Sequence, residues 1–275
     1  MGMTSHFSHP IPDLSAVESV ARLAGAEIMR FYESGITPEF KKDGSMVTPA
    51  DRASEKIIRD GLAQIAPQIP FVGEESVEAG IVPDISGGTF WCVDPLDGTR
   101  NFVERNGQFA VLIGLVMKGI PVMGVLFQPT ENWLCAGAVG LGAHSAVNDN
   151  RRTLSSLPTK RAPSTAIVEH KFRSRDRVKS YVKKMTPKFP GITLIDSKTV
   201  WPLCDLAMGH GDVCLAFSQS YEWDTAAVHG ILHSVGGGII APAGKKLAYG
   251  KRDIKFLNPD IAGCADHLAD QLHEF

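Results

Sequence analysis

The sequence predicts a mixed fold, α+β in its first half and α/β in its second. Three patterns carry that reading: two amphipathic helical stretches before residue 66, a block of apolar runs of strand length between 71 and 138, and a regular strand–helix alternation from about 165 onward. The chain has 275 residues, 44% of them hydrophobic, which is ample for a substantial core. The composition shifts between about 142 and 163, where Asn148 to Arg152 and several Ser, Thr and Pro replace the apolar runs. That places a boundary near 150, between halves 1–150 and 151–275.

The elements follow in order. Residues 1 to 12 are polar and broken by proline, a loose lead-in. After Asp13 as N-cap, Leu14, Val17, Ala21, Ala24, Ile28 and Phe31 recur at helical spacing until Gly35. Lys41 to Ser45 reads as a turn or loop. Thr48 caps a second helix with Pro49 at its first position, Asp51 in its first turn and Ala53, Ile57, Ile58 and Leu62 facing inward.

A short strand around Phe71-Val72 delivers Glu74 and Glu75, one of them expected to be exposed. Apolar runs at 109–117 and 120–128 flank Lys118-Gly119 as a hairpin and, with strands near 71, 90 and 133, build an antiparallel-rich sheet. The second half alternates: strand 165–168, helix 174–186, strand 192–195, helix 202–210, strand 212–217, and a helix from about 224 that Gly236-Gly237-Gly238 stops.

Chemistry concentrates at Trp91-Cys92-Val93-Asp94-Pro95-Leu96-Asp97-Gly98-Thr99. The run from Thr89 to Val93 reads as a buried strand, and Pro95 with Gly98 turns the chain beyond its end, so Asp94 and Asp97 share a tight turn. Two carboxylates so close repel each other unless a cation or proton lies between them, which points to a hard metal such as Mg²⁺. If the Gly98-Thr99 amides open a helix, they can hold a phosphate oxygen at the same place. Turn-making and capping are the commoner uses of Asp-Pro and Asp-Gly pairs, so the rest of the chain has to decide. Asp51 and Asp224, each at a helix start, likewise read first as dipole or capping carboxylates.

Several other chemistries are excluded. The formal net charge is −2, giving no basic footprint for a nucleic acid polymer, and no apolar run has the length of a membrane span. An anionic substrate remains open because a bound metal supplies charge the residue count omits. Five cysteines without a C-x-x-C pair, and an N-terminus without basic and apolar signal regions, fit free thiols in a reducing cytoplasm. Gly244-Lys245 lacks the earlier glycine of a phosphate loop, since Ile239 stands there, and Lys245-Lys246 read as a solvated turn. His229 and His233 share a helix face but have no H-E-x-x-H or cysteine partner, so zinc is not expected. No G-x-S-x-G elbow occurs, and the Asp94–Asp97 spacing does not suit a phospho-aspartyl enzyme.

Three blocks, Phe71-Val72-Gly73-Glu74-Glu75-Ser76, Asp94-Pro95-Leu96-Asp97-Gly98-Thr99 and Glu222-Trp223-Asp224-Thr225-Ala226-Ala227, together resemble the signature of the inositol monophosphatase superfamily of Mg²⁺-dependent, lithium-sensitive phosphatases. The resemblance runs in order over roughly residues 13 to 262. It implies a layered αβαβα sandwich of the sugar-phosphatase type, a small phosphorylated metabolite as substrate, and a homodimer as a possible assembly. It implies two or three Mg²⁺ held by Glu74, Asp94, Asp97, Asp224 and the Leu96 carbonyl. Catalytic roles fall to Asp51, Thr99 and Glu74, with Thr99 hydrogen-bonded to Asp51 to orient the attacking water. Asp97, Gly98, Thr99 and Asp224 would meet the substrate.

Within that superfamily, Asn106-Gly107-Gln108-Phe109, the Glu222 block, Leu247-Ala248-Tyr249-Gly250-Lys251 and Phe256-Leu257-Asn258-Pro259 are more similar to the 3′(2′),5′-bisphosphate nucleotidase branch. The substrate then implied is adenosine 3′,5′-bisphosphate or its sulfated form. One departure stands out: where that branch usually carries Gly-Ser-Ser-Leu-Lys, this chain reads Asp196-Ser197-Lys198-Thr199-Val200-Trp201-Pro202. Inositol monophosphates, histidinol phosphate and sugar phosphates stay as alternatives. A non-catalytic metal-binding regulator is the alternative of another class.

Overall fold

The computed structural model describes residues 10–272 except 36, 41–45, 149, 161 and 169–174, so the expected lead-in and the Lys41–Ser45 turn lie mostly or wholly outside the described residues. Helices α1 (Leu14–Ser34) and α2 (Pro49–Ile65) form one outer layer. Their caps are those the sequence indicated: Asp13 accepts from the Ser15 N–H, and Thr48 Oγ1 accepts from the Ala50 N–H at 3.1 Å. Between them lies a two-stranded ribbon, β1 (Glu39–Phe40) and β2 (Met46–Val47).

These helices cover a seven-stranded sheet whose strands run side by side in chain order: β3 (Phe71–Gly73), β4 (Thr89–Asp97), β5 (Ala110–Met117), β6 (Ile120–Gln128), β7 (Trp133–Ala138), β8 (Gly142–Val147) and β9 (Asn150–Thr153). Only β3 and β4 pair in parallel; every other neighbour is antiparallel. Lys118 and Gly119 both have positive φ, 52° and 73°, giving β5–β6 the two-residue turn whose twist suits a hairpin. β8 and β9 escaped the apolar-run reading. β9 is fully exposed and reads Asn-Arg-Arg-Thr, the polar edge that discourages pairing with another chain.

The second sheet has the order β11-β10-β12-β14-β13, from β10 (Thr165–Val168), β11 (Thr193–Asp196), β12 (Val213–Ala216), β13 (Gly237–Ile240) and β14 (Ile261–Ala265). β10 is parallel to β11 and β12, as strand–helix alternation demands, while β14 is antiparallel to β12 and β13. Gly237 and Gly238 do not merely stop a helix; they open β13, and Gly236 at φ 85° makes the reversal.

Short helices α3 (Glu74–Glu78) and α4 (Thr99–Val103) lie at the end of the first sheet. α5 (Arg175–Met185) packs with Val178, Tyr181 and Met185 against β10 and β12, under the outer core of the second sheet. α6 (Pro202–Ala207) and α7 (Glu222–Ser234) lie between the two sheets. Three cores follow from this stacking, α1/α2 with sheet one, sheet one with α6/α7 and sheet two, and sheet two with α5. The result is the αβαβα sandwich.

α7 approaches the first sheet unusually closely, and small residues permit it. Gly114 and Gly124 are cross-strand partners on β5 and β6 beneath Ala226, Ala227 and Gly230. A Cβ on Gly124 would sit 1.8 Å from the Ala227 carbonyl oxygen, so helix backbone rests directly on strand backbone there. All five cysteines are buried and free, and no described helix is long and apolar enough to cross a membrane.

Candidate active site

The Asp94 turn is a distortion within β4 rather than a turn beyond it. Asp94 pairs with Leu112 and Asp97 with Ala110, so three steps on β4 match two on β5 and one residue bulges. Pro95 has no N–H to give the ladder, and the Leu96 N–H turns back to Asp94 Oδ1 at 2.9 Å. Gly98 follows at φ 88°, with the Gln108 carbonyl only 2.7 Å from where a Cβ would be, so only glycine fits and α4 starts at Thr99.

One face of α2 holds this bulge in place. Asp51 Oδ2 accepts from the Thr48 N–H at 2.8 Å and its hydroxyl at 2.6 Å, while Asp51 Oδ1 accepts from Thr99 Oγ1 at 3.1 Å. The carboxylate therefore serves the helix start and the Thr99 hydroxyl together. One turn on, Ser54 donates to the Pro95 carbonyl at 2.7 Å. Beside it, buried Glu55 accepts from the Glu75 and Ser76 N–H groups, seating α3 and with it Glu74. Glu74 and Glu75 are both half-buried in the first turn of α3, so neither is the exposed partner the sequence suggested; Glu75 lines a separate hollow with Arg52 and Tyr221. Ser54 and Glu55 were missed by sequence reasoning. Their only signal was polarity on the inward face of an amphipathic helix.

Asp224 arrives from far along the chain on the first turn of α7, where its Oδ2 accepts from the Tyr221 N–H at 2.7 Å. Here too capping and site geometry coexist. Asn258 Nδ2 donates to the Tyr221 carbonyl at 2.7 Å, and fully buried Glu222 accepts from the Gly250 and Lys251 N–H groups and pairs with the Lys251 ammonium at 2.8 Å. The tail motifs around Gly250 and Asn258 thus brace the start of α7. Deeper in, Tyr249 donates to Thr225 Oγ1 at 3.1 Å and lies 3.0 Å from His229 Nδ1; the Ile239 N–H donates to His229 Nε2 at 3.2 Å, so Nδ1 carries the proton. His229 is a packed, neutral histidine, held to a pKa of about 3 by burial first and by His233 and Lys246 after it.

The three aspartates meet. Asp94, Asp97 and Asp224 each bring a carboxylate oxygen within 4.8 Å of the others, and Glu74 stands near enough to raise the Asp94 pKa. Asp94 is buried, and that burial, followed by the charges of Glu74, Asp97 and Asp224, pushes its carboxyl well above the ordinary range. Such a cluster suits a hard divalent cation: oxygen donors only, converging, and mutually repulsive without one. Glu74 also groups with Glu75 and Glu78 within the same spacing. The Leu96 carbonyl, between the two aspartates of β4, accepts from Thr99 Oγ1 at 3.2 Å. Beside Asp97, Gly98 and Asp224 opens a cleft of about 290 Å³, walled by Trp201, Ser218 and Ser220.

Comparison with known proteins supplies the family. Residues 12–273 match the model of the inositol monophosphatase family. The chain is 33% identical over 248 residues to the 3′(2′),5′-bisphosphate nucleotidase CysQ of Salmonella typhimurium, covering 90% of this chain and 97% of that protein, and 31% identical over 255 residues to CysQ of Buchnera aphidicola, covering 89% and 91%. Among solved structures it resembles CysQ from Bacteroides thetaiotaomicron, described as a bacterial member of the same family, with a TM-score of 0.70 at 29% identity over 92% of this chain and 96% of that one. The Staphylococcal IMPase-II structure shares the fold, with a TM-score of 0.71 over 94% of this chain and 91% of the other. The chain belongs to the inositol monophosphatase family, on its CysQ branch, and is a phosphatase.

Proposed function

We propose that the chain is a Mg²⁺-dependent phosphomonoesterase of the cytoplasm that releases phosphate from a 3′(2′),5′-bisphosphate nucleotide such as adenosine 3′,5′-bisphosphate. The observation that carries this is the convergence of Asp94, Asp97 and Asp224, from two distant parts of the sequence, at the edge of a substrate-sized cleft. The nucleotide preference leans on the CysQ relatives, about a third identical over nearly their whole length.

Glu74, Asp94, Asp97, Asp224 and the Leu96 carbonyl would hold two or three Mg²⁺. When bound, the ions neutralise phosphate charge and lower the pKa of a water. The chain's own part is orientation. The Thr99 hydroxyl gives its proton toward Asp51 Oδ1, so its oxygen lone pairs are turned to receive a proton from the attacking water. As the water oxygen bonds to phosphorus, its proton passes to Thr99 Oγ1 while the Thr99 proton moves to Asp51. The P–O ester bond breaks and the freed oxygen leaves as an alcohol after taking up a proton from solvent. The Gly98 and Thr99 amides at the start of α4 would meet the phosphate beside Asp97 and Asp224.

Phosphate release measured on adenosine 3′,5′-bisphosphate, inositol monophosphate, histidinol phosphate and fructose bisphosphate, with Mg²⁺ and with or without Li⁺, tests the reading. Fastest, lithium-inhibited turnover of the adenosine bisphosphate supports it. Preference for inositol or histidinol phosphate would redirect the substrate, and the altered Asp196–Pro202 segment, whose Val200, Trp201 and Pro202 line the cleft, is where such a change would originate. Silence on all four favours a non-catalytic metal-binding protein.

A further inference from the structure

Trp201 reaches into the acidic cluster. Its indole Nε1–H donates to Asp97 Oδ2 at 2.6 Å, across 104 positions of sequence. Nothing about the indole is loose. Trp201 is 6% exposed, its ring packs obliquely on Trp133 with centroids 5.9 Å apart, and its backbone N–H donates to Thr199 Oγ1 at 3.1 Å. The segment before it is anchored in turn by fully buried Asp205, which accepts from Ser197 Oγ, from the Lys198 N–H at 2.7 Å and from the Thr199 N–H at 2.9 Å. Pro202 then starts α6, fixing where the backbone turns away.

An indole is a particular kind of partner for a metal-binding carboxylate. It donates one hydrogen bond, accepts none and carries no charge. An arginine or lysine in the same place would neutralise Asp97 and compete with a cation; the indole orients the carboxylate and leaves its negative charge in place. Losing that donor would leave Asp97 freer to turn away from the like charge of Asp224.

We propose that Trp201 is a positioning residue of the metal centre: through Nε1–H it holds the Asp97 carboxylate in the rotamer that joins Asp94 and Asp224, and so sets the affinity for Mg²⁺. This rests on the metal reading above. It also gives the departure at Asp196–Pro202 a role, because the segment that differs is the one that carries the indole.

Calorimetric titration of Mg²⁺ into the wild-type protein and Trp201→Phe tests it. Phe keeps a ring against Trp133 and removes only the donor. The expected result is Mg²⁺ binding about 10-fold or more weaker in the variant, as loss of such an outer partner commonly produces, with the melting temperature nearly unchanged and kcat recovered at saturating Mg²⁺. In parallel, the Trp201 indole ¹H–¹⁵N resonance of the wild-type protein should shift on Mg²⁺ addition with the calorimetric half-point; that measurement decides the matter if the variant does not fold. Equal Mg²⁺ affinity in a folded variant, or an indole resonance that Mg²⁺ leaves unmoved, overturns the inference while the metal reading stands. If the wild-type protein binds no Mg²⁺ at all, both fall.

Discussion

Thr99 Oγ1 and Asp51 Oδ1 lie 3.1 Å apart although 48 residues separate them in the chain. The same Asp51 carboxylate accepts two hydrogen bonds from Thr48 at the start of α2. A helix start and the Thr99 hydroxyl are therefore fixed by one side chain, and a change at either end should be felt at the other.

Thr99→Ala should keep Mg²⁺ binding and lower kcat by about 10²- to 10⁴-fold, the usual worth of a positioned proton-transfer group. Thr99→Ser, which keeps the hydroxyl, should retain most of the activity. Asp51→Asn should combine a similar loss in kcat with about 1 kcal/mol of lost stability from the disturbed helix start. Steady-state kinetics with a urea melt of each variant separates the two effects. Unchanged kcat in Thr99→Ala would remove Thr99 from the mechanism.

Much of this was legible in the sequence. Helical spacing from Leu14 and from Pro49 marked α1 and α2 with their caps, because a one-sided apolar stripe has few other uses. The paired aspartates were legible because Pro95 and Gly98 leave little freedom of chain path. What single-sequence patterns hide is support from a distance. Ser54, Glu55, Asn258 and Trp201 acquire meaning only when Pro95, Ser76, Tyr221 and Asp97 fold against them. β13 and β14 were missed for a related reason: Gly237-Gly238 reads as a breaker until a neighbouring strand supplies the ladder.

Mg²⁺ should stabilise the fold as well as permit turnover. Asp94, Asp97 and Asp224 repel each other in the metal-free protein, and binding to the native state alone adds about 2.7 kcal/mol at 100 times the Kd. A thermal melt should move up with MgCl₂ but not with NaCl of equal ionic strength, and Asp94→Asn should lose most of the shift together with several orders of magnitude in rate. Equal shifts with both salts would indicate screening rather than a site.

Acid should destabilise the protein partly through His229. Burial holds its folded pKa at about 3, against 6.5 for the ordinary imidazole. Between those values the unfolded chain binds a proton that the folded chain refuses. The contribution is thus complete above pH 6.5 and is lost as pH falls toward 3, at up to about 1.4 kcal/mol per pH unit. Urea unfolding at pH 7, 5.5 and 4.5 should show a shallower decline in His229→Gln than in wild type. Parallel declines would mean that the imidazole is protonated in the native state.

Gly124 should be intolerant of even one methyl group, and for a reason that reaches the active site. It faces the Ala227 carbonyl across the direct contact of β6 with α7, where an added Cβ would stand 1.8 Å from the oxygen. Backbone cannot rotate aside as a side chain can, so α7 must lift or tilt, at a cost of about 1–3 kcal/mol or more. Asp224 lies one turn from Ala227 on the same helix, and movement of α7 carries it away from Asp94 and Asp97. Gly124→Ala should therefore lower the melting temperature and weaken Mg²⁺ binding together. Gly87→Ala, at a position with open space and no positive φ, should do neither. A Gly124→Ala protein with wild-type melting and Mg²⁺ affinity would show that α7 is not seated as tightly as the Gly114–Gly124 pair implies.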